Sequence, residues 1–103
     1  MLYHSTRSAL ETVDSAQAVL SGLAPDGGLY VPKSFPAFDA AECLKKDTMG
    51  MAAMIIGAML PDIPNMEDLV SRAYTGKFQT NDLTPTVDTG KFTVLELFHG
   101  PTS

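Results

Sequence analysis

A single cysteine, Cys43, excludes an internal disulfide and any metal site built from several thiolates, and it fits a reducing compartment. Basic residues are nearly as sparse. Seven Lys and Arg stand singly or as the pair Lys45-Lys46 against twelve Asp and Glu, giving a formal net charge of -5. With no basic stripe to neutralise a row of phosphates, nucleic acid is not an expected partner. Long hydrophobic runs are missing too. The longest uncharged apolar stretch, Met49 to Leu60, falls well short of the roughly 20 residues that span a bilayer, so no membrane is expected. The amino terminus reads Tyr3-His4-Ser5-Thr6-Arg7 where a secretory leader needs a continuous apolar segment, and the expected location is the cytoplasm. Two distant histidines, His4 and His99, without a third ligand nearby make no zinc site. Gly27-Gly28 lacks both the Gly-x-Gly-x-x-Gly pattern and a Walker lysine, and it reads as a turn.

The chain has 103 residues, 45% of them hydrophobic, enough for one compact core and too few for two full domains. Strand propensity at Tyr3 and Thr6 suggests a short edge strand over 2–6. Asp14 with Gln17 three residues on forms a capping-box pattern, Ala16, Val19, Leu20 and Leu23 follow at helical spacing, and Gly22 stands where a left-handed carboxyl cap belongs. Pro25-Asp26-Gly27-Gly28 predicts a tight turn into a strand at Leu29-Tyr30-Val31. Pro32 to Phe38 reads as a connection pinned to the core by Phe35 and Phe38.

Asp39 with Glu42 opens a second helix that ends near Lys46, and Asp47 or Thr48 caps a third, Met49 to Leu60, stopped by Pro61. That third helix is apolar on all sides and methionine-rich, a core helix that can also meet another domain or subunit. Asn65 is expected to cap a fourth helix, with Asp68 and Arg72 paired at i,i+4 and Gly76 as its stop. The polar stretch 79–90 predicts an irregular connection with one extended piece near Thr86 and Val87. Phe92 to Phe98 then reads as a largely buried strand, with Val94 to Phe98 expected in one sheet with Leu29 to Val31. The fold class is α+β, a small sheet covered by about four helices.

Glu96-Leu97-Phe98-His99-Gly100-Pro101-Thr resembles a signature of the threonine synthases, and Gly22-Leu23-Ala24-Pro25-Asp26-Gly27-Gly28-Leu29-Tyr30-Val31-Pro32 resembles a second one. Leu2 to Arg7 and Tyr74 to Phe78 match further blocks in the family's order. The resemblance implies an amino-terminal domain over residues 1–103 that stops at the start of the cofactor-binding catalytic domain, just before the Ala-Phe-Lys-Asp block that carries the cofactor lysine. It implies that the parent enzyme converts O-phosphohomoserine and water into threonine and phosphate, a carbon–oxygen lyase reaction in threonine biosynthesis, with pyridoxal phosphate as electron sink. The implied partners are the remaining catalytic domains of the same enzyme and the substrate O-phosphohomoserine. The 103-residue chain itself is expected to hold no cofactor and to be inactive.

No catalytic residue is assigned within the chain. His99, Thr102 and Ser103 are the candidates for lining the substrate or cofactor site. His99 is expected to hydrogen-bond its turn and orient the lysine loop, and Thr102 and Ser103 offer donors to an anion if a helix begins after them. In the cluster His4-Ser5-Thr6-Arg7, surface hydrogen bonding or capping is preferred over an anion fork at Arg7. Cys43 is expected to be buried and inert. Two alternatives stand beside this reading: a threonine-synthase-like phospholyase that releases phosphate without making threonine, and a freestanding module that binds a partner through its methionine helix.

Overall fold

The amino-terminal segment folds as the middle of a sheet because both of its edges find local partners. In the computed structural model, which describes residues 1–78 and 82–97, strand β1 (Leu2–Ser5) lies between β2 (Thr12–Asp14) and β3 (Tyr30–Pro32), antiparallel to each. Tyr3 faces Val13 on one side and Pro32 on the other, and Ser5 faces Tyr30. The two-residue pleat puts Tyr3 and Ser5 on one face, and both are buried.

Asp14 ends β2 and caps helix α1 (Ser15–Ser21), its carboxylate accepting from the Gln17 N–H at 2.7 Å. The Gln17 side-chain amide donates to the Ser21 hydroxyl instead of accepting from the Asp14 N–H, so half of the expected box forms. Gly22, at φ 71, closes the helix with its N–H on the Ala18 carbonyl. Helices α2 (Ala40–Leu44) and α3 (Thr48–Met59) begin in the same way, at the carboxylates of Asp39 and Asp47. Before helix α4 (Met66–Tyr74), Asn65 takes φ 58, a left-handed backbone, where the three aspartates take the extended one of ordinary caps. Asp68 and Arg72 pair at 3.1 Å, both exposed.

The described residues hold four helices, as expected, but two sheets rather than one. Strands β4 (Thr86–Asp88) and β5 (Thr93–Leu95) pair with each other, and β3 pairs with β1. A local hairpin outcompetes the distant partner: the Thr89 N–H reaches the Phe92 carbonyl at 2.9 Å, and Gly90 supplies φ 90. Burial of β5 is corrected with it, because all three of its residues are exposed. Strand β2 has no counterpart among the expected elements; Thr12 and Asp14 give it the polar composition of a sheet edge. The connection after β3 is corrected as well. Phe35 is 86% exposed and Phe38 is exposed, so neither ring pins it.

The chain divides into two compact units, Met1–Glu67 and Asp68–Ser103. In the first, the Tyr3 hydroxyl donates to the Met59 carbonyl at 2.5 Å, tying β1 to the end of α3. Ala53 is the buried residue of α3 and most of the others are half-covered. Cys43 is buried, as expected. In the second unit Val70 and Leu83 are buried, and the rings of Tyr74 and Phe78 lie 6.0 Å apart. No helix among the described residues is long and apolar enough to cross a membrane.

Candidate functional site

The register between β1 and β3 carries the end of β1 onto the turn that precedes β3. Ser5 donates its hydroxyl to Asp26 Oδ1 at 2.6 Å, and Gly28 donates its N–H to the same oxygen at 2.9 Å. The Arg7 N–H donates to Ser5 Oγ, while the guanidinium reaches the Asp26 carbonyl at 2.7 Å. Thr6 exchanges two bonds with Leu29, backbone N–H to carbonyl and hydroxyl from N–H. Thus Ser5-Thr6-Arg7 and Asp26-Gly27-Gly28 form one hydrogen-bonded knot. Arg7 serves a backbone carbonyl here rather than forking an anion. The glycines do different work. Gly27 needs its positive φ of 81, and Gly28 needs the absence of a side chain, since a Cβ there would lie 2.0 Å from Ser5 Oγ.

Beside the knot opens a cavity of about 310 Å³, walled by Ser5, Leu10, Glu11, Val13, Asp26 and Tyr30 among others. A second constellation holds the start of α1. Fully buried Ser15 donates both its hydroxyl, at 2.6 Å, and its N–H, at 3.0 Å, to Asp62 Oδ2, and accepts the Asp62 N–H in return. Hydrogen bonds from Ser5 and Gly28 hold the Asp26 carboxyl below its ordinary value, and those from Ser15 do the same for Asp62.

A carboxyl whose folded pKa is depressed stabilises the fold above its unfolded pKa, near 3.8 for these groups, and that contribution is lost as pH falls through the folded value. The thermal midpoint should therefore be level down to weakly acidic pH and drop below about pH 4. Asp26→Asn and Asp62→Asn should each flatten that drop; an unchanged acid limb in both variants would contradict the assignment.

The candidates His99, Thr102 and Ser103 lie outside the described residues. The Ser5–Asp26 pairing escaped sequence reasoning because its members are 21 positions apart and meet only through strand register. The signal was present as a second glycine following one that already satisfies the turn. Among the described residues no group of three His, Cys, Asp or Glu is placed to hold a metal.

The model for the threonine synthase N terminus matches residues 2–88. The chain belongs to the threonine synthase N-terminal family. Over 98% of its length this threonine synthase N-terminal chain is 35% identical to threonine synthase from Saccharomyces cerevisiae, of which it covers 22%. It is 32% identical to human threonine synthase-like 2, with 99% of this chain and 22% of that protein covered. The crystal structure of a PLP-bound threonine synthase from Brucella melitensis superposes with a TM-score of 0.77 at 35% identity, covering 98% of this chain and 23% of that one. The chain thus spans under a quarter of the length of these relatives. Its fold is that of the amino-terminal regions of threonine synthases.

Within this threonine synthase N-terminal chain, the cavity beside the knot does not fit a phosphorylated aldehyde cofactor. Its lining carries the carboxylates of Glu11 and Asp26 and no lysine, and the nearby guanidinium of Arg7 is committed to a backbone carbonyl. The phosphate of such a cofactor calls for cationic donors and its aldehyde for a lysine amine, whereas the carboxylates lining this cavity would repel the phosphate.

Proposed function

We propose that this chain forms the amino-terminal part of a cytoplasmic, pyridoxal-phosphate-dependent threonine synthase, which converts O-phosphohomoserine and water into threonine and phosphate. The observation that carries this reading is the family match over residues 2–88 together with 35% identity to a threonine synthase along nearly the whole chain. In this reading residues 1–103 build the wall leading into the active site and help exclude water from it, which strengthens the electrostatic contacts made there. His99 orients the loop that follows it, and Thr102 and Ser103 line the substrate or cofactor site. The chain's partners are then the catalytic domains of the same polypeptide, and alone it turns over no substrate.

The full-length gene product, incubated with O-phosphohomoserine, should release phosphate and threonine in equal amounts, and residues 1–103 alone should release neither. Phosphate accompanied by a different organic product selects the phospholyase reading. A folded full-length protein that releases no phosphate overturns both and returns the chain to the class of interaction modules.

A further inference from the structure

The register of the three-stranded sheet builds one wall of the cavity beside the knot. Cross-strand partners share a face, so Val13, opposite Tyr3, and Tyr30, opposite Ser5, stand on the side of the sheet that carries Tyr3 and Ser5. Leu10 and Glu11 close the cavity from the connection between β1 and β2, and Pro25 and Asp26 close it from the turn before β3. The wall is in place before anything binds, because strand pairing holds Val13 and Tyr30 while the bonds from Ser5 and Gly28 hold Asp26. At about 310 Å³ the space suits a small organic molecule.

The polar groups of the lining select the ligand. Asp26 takes both of its knot bonds on Oδ1, which leaves Oδ2 without a partner among the described residues. Glu11 makes neither an ion pair nor a side-chain hydrogen bond with any of them. The Arg7 guanidinium, bound to the Asp26 carbonyl, offsets one of the two carboxylates, so one negative charge is left beside the apolar side chains of Leu10, Val13 and Pro25. We propose that this cavity binds a small organic monocation, an ammonium group on an uncharged apolar body. The ammonium donates to Glu11 and Asp26, and the body packs on Leu10, Val13 and Pro25. A zwitterionic amino acid or a phosphorylated amine is rejected, since its anionic group would enter a lining that holds carboxylates and no cationic donor.

Saturation-transfer NMR titrations of the full-length protein test the assignment, with isopentylammonium as the probe and two relatives of the same carbon skeleton as controls: isopentanol, which lacks the charge, and free leucine, which adds a carboxylate. Isopentylammonium should bind about five-fold or more tightly than either control. Glu11→Gln should remove most of that preference, and Glu11→Lys should abolish binding of the amine. Glu11 holds no bond within the described residues, so both variants should keep the thermal midpoint of the parent protein and any lost binding reads on the cavity. Equal binding of amine and alcohol overturns the proposal. So does binding of the amine that survives unchanged in both variants, which places it elsewhere on the protein, or the lack of any transfer to the amine.

Discussion

Gly28→Ala should destabilise the protein by about 3 kcal/mol or more in a denaturant titration, making it among the costliest single-methyl additions in the chain. The new Cβ would sit 2.0 Å from Ser5 Oγ and 3.0 Å from both Asp26 Oδ1 and Thr6 Oγ1. Ser5 cannot yield cheaply. It is buried on the middle strand, donates to Asp26 and accepts from the Arg7 N–H, so moving its hydroxyl breaks two bonds of the knot. At Gly27 the cost has another origin: a left-handed backbone worth about 1–2 kcal/mol for an alanine, with the nearest atom, 2.9 Å away, at the far end of the Arg7 side chain, which would shift on its bond to the Asp26 carbonyl. At Gly22 a Cβ meets nothing within 4 Å, leaving the backbone term alone.

Combining Ser5→Ala with Gly28→Ala separates steric conflict from backbone preference. The double variant should be less destabilised than the sum of the singles by about 1 kcal/mol or more, since the closest clash is gone. Additive losses would mean that the turn rejects alanine for a reason other than Ser5.

Tyr3→Ala is expected to cost about 3–5 kcal/mol, the range for removing a buried aromatic ring. The ring is 6% exposed at the centre of the three-stranded sheet, and its hydroxyl is bound to Met59. Tyr3→Phe keeps the ring and removes only that bond, for about 1 kcal/mol. Burial, followed by the charge of Asp62, pushes the phenol above its ordinary 10.0, so Tyr3 stays a neutral donor across the physiological range. Denaturant midpoints of the two variants divide the contribution of this side chain. A Phe variant as unstable as the Ala variant would place the weight on the hydroxyl rather than on packing.

Local chemistry was legible in the sequence, and pairing across distance was not. Asp14, Asp39 and Asp47 announce three helix starts because a carboxylate and the amides that it accepts from lie within three residues of each other. Gly22 announces one helix end for the same reason. Leu29 to Val31 and Val94 to Leu95 were recognisable as extended, yet their partners follow from turn geometry: β5 is claimed by β4 through the short Thr89–Phe92 reversal. The aromatic content of Phe35 and Phe38 suggested burial, but hydrophobicity alone does not say which polypeptide surface provides the cover. For the candidate site, the sequence held both halves of the knot, Ser5 to Arg7 and Asp26 to Gly28, without the β1–β3 register that joins them.

The position of β1 at the middle of its sheet bears on how the polypeptide acquires structure as it is made. Both partners of β1 lie within the next twenty-seven positions, the last of them Pro32. The three-stranded sheet and the Ser5–Asp26 knot can therefore close before α2, α3 and α4 have emerged from the ribosome. Pairings this close in sequence incur little loop-closure entropy and form early. Translation thus delivers a nucleus first, and the hydroxyls of Tyr3 and Ser15 wait as fixed donors, the first for the Met59 carbonyl and the second for the Asp62 carboxylate, when that later segment emerges.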